Sequence, residues 1–252
     1  FRTVSEKYPQ SEFAADALYK AGECLGQLGR KPEAATAFES FVQKYPDNPL
    51  ASQALLRVGD IQFFAAAFDQ AVAKYKTILE KKPDPSIEQD ALYRLAVTYH
   101  NMQKFAESAD TFKTLIEKYP ANPNLAEAYV RRGDYLLREG KDAVKAIEAY
   151  QAAAGITPAG SFTGQALKGL ALARYETKDL DGAADIFWKV IGEYPDIALN
   201  ESAYVWLGQR FFDQQKWDQA AKAFDALLKT NGSYPNPERI RFKIAECSEN
   251  AG

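Results

Sequence analysis

The chain has 252 residues, 31 Lys+Arg against 34 Asp+Glu and a formal net charge of −3, with 46% hydrophobic and 26% charged residues. That near-neutral balance argues against nucleic acid as the main partner, and no apolar run approaches the ~18 residues of a membrane span. Two cysteines, Cys24 and Cys247, cannot frame a disulfide-rich domain, and one histidine, His100, is too little for a His-based metal site or relay. The chain opens on Phe1 rather than Met with nothing resembling a signal peptide, so the natural start is expected upstream.

Read in order, the chain repeats. Prolines fall at Pro9, Pro46, Pro83, Pro120, Pro158, Pro195 and Pro235, in steps of 37, 37, 37, 38, 37 and 40. An aromatic column (Phe38, Tyr75, Phe112, Tyr150, Phe187, Phe224) moves with them, and a small residue stands four positions before each member. A second small column reads Gly22, Gly59, Ala96, Gly133, Ala171, Gly208 and Ala245. In the first full unit Ala14, Leu18, Ala21, Leu25 and Leu28 form one helical stripe, and Ala34, Ala37, Phe38, Phe41 and Val42 a second. The turn GRKPE lies between them, with Gly29 placed to end one helix and Pro32 near the start of the next. Asx-Pro pairs (Asn48-Pro49, Asp84-Pro85, Asn122-Pro123, Asn236-Pro237) mark further helix starts. Each unit therefore reads as a helix–turn–helix hairpin whose small residues let the helices cross closely beside the aromatic. A lone hairpin cannot bury both stripes, so the units must stack into an α-solenoid. About fourteen helices and no strand are expected, with turns near Gly29, Ala66, Gln103, Gly140, Lys178 and Gln215. The repeats run approximately 10–46, 47–83, 84–120, 121–158, 159–195 and 196–235, with partial units at 1–9 and 236–252. Phe1 falls in the Phe38 column and Gly252 in the Gly29 column, so both ends are read as cut mid-repeat, in one solenoid that continues beyond them.

These columns resemble the tetratricopeptide repeat family. Its helix A and helix B pattern is matched by Leu18, Ala21, Gly22, Leu25, Ala34, Phe38 and Pro46, and the resemblance runs the length of the chain. The period is about three residues longer than the family's usual ~34. The extra residues lie between Pro46 and Leu55 and are expected to lengthen helix A by nearly a turn. The long unit, with YPQSEFAADALYKAGE as its clearest copy, resembles the bacterial envelope subgroup. That subgroup includes the Tol–Pal-associated periplasmic protein and the lipoprotein of the β-barrel assembly machinery. The resemblance implies a right-handed, all-α superhelix whose helices A line a concave groove. It places the protein in the bacterial periplasm or on the periplasmic face of the outer membrane; sparse cysteine leaves the cytoplasm open as well.

No catalytic constellation is visible. Glu23-Cys24 and Glu246-Cys247 are equivalent helix A positions, and both thiols are expected to be free and buried. No Gly-rich phosphate loop exists, and neither a cofactor nor a metal is expected. Carrying the family's groove positions through the Gly22 column collects ten acids against three bases, Arg138, Lys168 and Arg239. The candidate groove residues are Asp60, Phe63, Phe64, Asp90, Tyr93, Glu127, Asp134, Tyr175 and Phe212. The alternative is that the acids merely suit helix N-terminal halves and the aromatics pack on the next repeat. Trp188 and Trp206 lie outside the columns that demand a ring; each is either a partner anchor or packed on an adjacent helix. Trp217 shares a core column with Phe68 and Phe105. The leading reading is a non-catalytic scaffold holding a protein segment that is basic or neutral with apolar anchors. A structural spacer that self-associates end to end, or the targeting arm of a longer protein, are the alternatives.

Overall fold

The computed structural model describes residues 1–8, 10–230 and 234–251. Pro9 of the proline column and Gly252 of the Gly29 column lie outside the described residues. Fourteen helices and no strand occur among them. The chain divides into two compact units, 1–128 and 129–252. In the first, α1 (Arg2–Lys7) is followed by the hairpins α2 (Ala14–Gln27)/α3 (Lys31–Lys44), α4 (Ala51–Phe64)/α5 (Phe68–Glu80) and α6 (Pro85–Asn101)/α7 (Phe105–Lys118). Helix α8 (Leu125–Arg138) carries the division between the units and precedes α9 (Ala143–Ala154). The hairpins α10 (Thr163–Glu176)/α11 (Leu180–Glu193) and α12 (Glu201–Asp213)/α13 (Trp217–Thr230) and a final α14 (Pro237–Ala251) follow.

Each core cluster joins one hairpin, or in the largest case two, to the next helix A. Leu18 of α2, Ala34 and Phe38 of α3 and Ala54 and Val58 of α4 form one such group. Leu56, Tyr75, Ile78, Ala91 and Leu95 form the next across α4, α5 and α6. In the second unit Phe187, Leu207, Phe224 and Leu227 anchor the largest. Stacking is thus what buries each amphipathic stripe. Full burial of a ring such as Phe112 or Phe187, each at most 1% exposed, contributes roughly 1.5–3 kcal/mol.

The small column works by contact with the aromatic column. A Cβ built on Gly22 would stand 2.8 Å from the Phe38 ring, and one on Gly59, Gly133 or Gly208 would meet Tyr75, Tyr150 or Phe224 at 2.5–2.7 Å. All four glycines are buried. The two columns are halves of one joint: the ring lies flat on a helix stripped of its side chain.

Hairpin turns follow a single chemistry. The residues at Gly29, Ala66, Gln103, Lys178 and Gln215 all have φ between +57° and +75°. At Ala66 the amide donates to Phe63 and the next amide, Ala67, to Gln62, closing a Schellman motif. The fourth turn is one residue longer, with the left-handed residue at Lys141 (φ 51°) rather than Gly140. That extra residue accounts for the step of 38 between Pro120 and Pro158.

Two local expectations are corrected. Asn48 and Asn122 do not cap helices; each accepts from the amide two residues on (Leu50 at 2.9 Å, Asn124 at 2.8 Å) in an Asx turn ahead of α4 or α8. Only Pro85 and Pro237 open a helix, and the Asp84 side chain makes no cap bond. The added residues of the long repeat therefore lengthen α6 to 17 residues, whereas α4 keeps 14 and its extra residues form the preceding turn.

Candidate functional site

Helices α2, α4 and α6 present one face of the first unit, and α4 and α6 carry most of its candidate residues. Asp60 is largely covered, its side chain 16% exposed. It accepts from the Tyr75 hydroxyl at 3.0 Å and pairs with Arg94 Nη1 at 2.5 Å, which joins α4, α5 and α6. Burial pushes the Asp60 carboxyl up, against the opposing pull of Arg94 and the Tyr75 bond. The Tyr75 hydroxyl is itself pushed well above the usual tyrosine range by burial and by Asp60. Tyr93 donates to Glu127 Oε2 at 2.7 Å, and its ring packs against Phe112. Asp90 is exposed.

The aromatics differ in role. Phe63 turns inward, edge-on to Phe68 at 5.6 Å, and joins the α4–α6 core. Phe64 points out, 73% exposed, with Lys31 Nζ 5.6 Å above its ring. It stands at the edge of a cleft of about 440 Å³ between α2 and α4, floored by Gly22 and Phe38 and walled by Glu23, Arg57 and Asp60. Gly26 opens on that cleft with nothing within 4 Å of where a Cβ would be.

In the second unit Asp134 accepts from the Tyr150 hydroxyl at 2.7 Å. Tyr175 is 39% exposed and meets Trp206 edge-to-face at 5.0 Å. These two rings, with Leu172, Phe187 and Glu176, line a cleft of about 240 Å³ between α10 and α12. Phe212 is partly buried, edge-on to Trp217 and covered by Lys243 Nζ at 4.3 Å. Trp217 packs against the core as its column requires. Trp188 packs on Phe211 at 5.4 Å, the packing alternative, whereas Trp206 packs and still faces a cleft.

The acids of the helix A face are thus drawn into the joints between helices more than sequence position implies. The missed signal is a column two residues before the small one: Lys20, Arg57, Arg94, Arg131, Gly169, Trp206 and Lys243. Five of its seven members are basic, and Arg94 shows what such a residue does, reaching back to the acid of the preceding repeat. A second signal is that the core ring is tyrosine only where Asp follows the small column, at Asp60/Tyr75 and Asp134/Tyr150. Cys24 also departs from expectation: it is exposed, whereas Cys247 is buried. His100 stacks edge-on to Phe105 at 5.2 Å. Among the described residues no group of three or more His, Cys, Asp or Glu side chains is arranged to hold a metal ion.

Comparison with known families agrees with this architecture. A family model described as a tetratricopeptide repeat-like domain matches residues 5–168, and two tetratricopeptide repeat models match 165–196 and 207–252. The chain belongs to the tetratricopeptide repeat (TPR) family. TPR folds generally mediate protein–protein interaction, and the family's members are generally non-enzymatic scaffolds. Among solved structures, the chain is similar to a TPR protein from Parabacteroides merdae (17% identity, 93% of this chain and 98% of that one, TM-score 0.57). It is also similar to pilF of Pseudomonas aeruginosa (14%, 91% and 97%, TM-score 0.62). A third likeness is to YrrB, described as a TPR protein with an unusual peptide-binding site (15%, 82% and 98%, TM-score 0.61). At these identities the likeness is one of fold. No curated protein matches the chain.

Proposed function

We propose that this TPR chain is a non-catalytic scaffold that holds a segment of another protein against its helix A face, in bacterial envelope assembly or maintenance. The observation that carries the binding role is the open α2/α4 cleft, with Phe64 73% exposed beside it. A ring so exposed at the edge of a concave surface is what an apolar anchor needs, and aromatics are favoured at binding hot spots. The preferred segment is basic or neutral with apolar anchors. Asp90, exposed on helix A of the next repeat, supplies attraction, while Asp60, Tyr93 and Glu127, each bonded across to another helix, shape the surface more than they attract. Tyr175 and Phe212 supply aromatic surface in the second unit, with Asp134 beside them in sequence register. The envelope placement rests on the long Tyr-Pro-punctuated repeat; no described helix is long and apolar enough to cross a membrane.

The test is a peptide-display selection on the immobilised chain, followed by affinity measurements on the selected peptides. Phe64→Ala is expected to weaken at least one peptide class tenfold or more, and Asp90→Lys to slow association at low salt. Peptides indifferent to both substitutions would remove the helix A face as the binding surface.

A further inference from the structure

One position of helix A, four residues after the small column, reads Gly26, Phe63, His100, Leu137, Tyr175 and Phe212 down the chain. In three hairpins its ring meets, edge-on, the ring that opens helix B. Phe63 meets Phe68 at 5.6 Å, His100 meets Phe105 at 5.2 Å and Phe212 meets Trp217 at 5.0 Å. In a fourth hairpin Leu137 and Ala143 share a core cluster. The first hairpin has Gly26 there, and its helix B opens on Lys31. Of the six, it alone has no helix A side chain at this position.

Nothing within the fold calls for that glycine. Gly22 is kept small by the Phe38 ring, whereas Gly26 has nothing within 4 Å of where a Cβ would stand, and its backbone is helical. The space opens into the α2/α4 cleft of about 440 Å³, to which α4 contributes Ile61 and Phe64. A benzene-sized ring needs roughly 150 Å³. Phe64 is also out of keeping with its own column, which otherwise carries Gln27, Asn101, Arg138, Glu176 and Asp213. An exposed ring thus borders the place where a ring is missing.

Charge narrows the occupant. On the cleft wall Glu23 is paired with Lys20, and Asp60 with Arg94. Lys31 and Arg57 are exposed, and neither forms an ion pair among the described residues. Lys31 Nζ already lies 5.6 Å over the Phe64 ring. The uncommitted charge is therefore positive. It repels a lysine or arginine side chain and favours the negative face of an aromatic ring over an aliphatic group.

We propose that the Gly26 position is the seat for an uncharged aromatic side chain of the partner segment. That ring supplies in trans the side chain that Phe63, His100 and Phe212 supply in cis. It lies beside Phe64 and Ile61, with Lys31 at its edge. This rests on the scaffold reading above and narrows the anchor to an aromatic residue at one place.

The test titrates N-acetyl-phenylalanine methylamide into the isotopically labelled chain by NMR, with the alanine and lysine analogues as controls. The phenylalanine probe is expected to shift the Gly26 and Ile61 resonances with millimolar affinity, and the controls to leave them in place. Gly26→Phe fills the seat from within, so the response should fall at least fivefold while the denaturation midpoint stays at or above that of wild type. Gly26→Ala leaves room for the ring and should keep the response. Equal shifts from the lysine analogue, a full response in Gly26→Phe, or a lowered midpoint for that variant would each overturn the seat. Display-selected peptides that lose affinity with Phe64→Ala but bind Gly26→Phe as well as wild type would overturn the seat and leave the scaffold reading standing. Indifference of those peptides to Phe64→Ala and Asp90→Lys is the separate failure of the scaffold reading.

Discussion

The joint at Asp60 shows how one side chain couples three helices. Its carboxylate is partly buried, so its charge is tolerated because Arg94 and the Tyr75 hydroxyl both reach it. Arg94→Ala is expected to cost ~1–2 kcal/mol near pH 7, discounted from a fully buried pair because the guanidinium is about one-third exposed. The Asp60 pKa is raised in the fold. Its contribution is therefore most favourable below the usual Asp value and is lost as pH rises through the raised value. Removing Arg94 raises it further, so the penalty should shrink when urea unfolding is repeated near pH 4. A penalty constant with pH would show that Arg94 acts through packing alone. Glu88 has the opposite sign. Lys118 and Tyr119 donate to it at 2.5 and 2.6 Å and hold its carboxyl below the usual range. That stability is present above the ordinary Glu pKa and fades as pH falls through the lowered one, so Glu88→Gln should flatten the acid arm of a stability–pH curve.

At the scale of the element, the hairpin turn and the small–aromatic joint recur down the chain. Four of the five equal-length turns place a residue other than glycine in the left-handed region: Ala66, Gln103, Lys178 and Gln215. Each bears a Cβ clash that glycine lacks, partly offset because glycine loses more freedom on folding. Ala66→Gly and Gln103→Gly should each stabilise by up to ~1 kcal/mol, read as a higher denaturation midpoint with an unchanged m-value. The reverse applies in the small column. Gly133→Leu drives a side chain into the Tyr150 ring and should cost ~1–3 kcal/mol or more. An unaltered midpoint for that variant would mean that the ring has somewhere else to go.

The elements were legible because periodicity and repetition report packing directly. A ring every 37 residues or so, with a small residue 16 or 17 positions before it, leaves one way to stack. Turn positions followed, five at the expected residue and the fourth one residue on, at Lys141 rather than Gly140, where the longer step is absorbed. The candidate face was less legible because helix register places a side chain on a face without stating whether it reaches out or across. Phe63 and Phe64 are neighbours in sequence, yet one joins the core and the other meets solvent. Asp60 and Asp90 are both acids of helix A, yet only Asp60 is used within the fold. The basic column that Gly169 and Trp206 interrupt was available in the sequence, but it took the Asp60–Arg94 contact to show that such a residue can reach the acid of the preceding repeat.

Over the whole molecule, each unit separates two jobs. The small and aromatic columns hold the hairpins together, and the helix A face is left with clefts at Phe64 in one unit and Tyr175–Trp206 in the other. Substitutions in the columns should therefore change stability, and substitutions such as Phe64→Ala should change binding with little loss of stability. Raising salt should slow association with a basic segment more than it speeds dissociation, since exposed acids act at a distance and apolar anchors do not. The most direct measurement is an NMR shift map of the isotopically labelled chain bound to a peptide selected by display. Perturbed resonances are expected on α2 and α4 around Phe64, or on α10 and α12 around Trp206, with the outer positions of α3, α5 and α11 unmoved. A map centred on those outer helix B positions, with the Phe64 and Trp206 surroundings silent, would contradict this expectation.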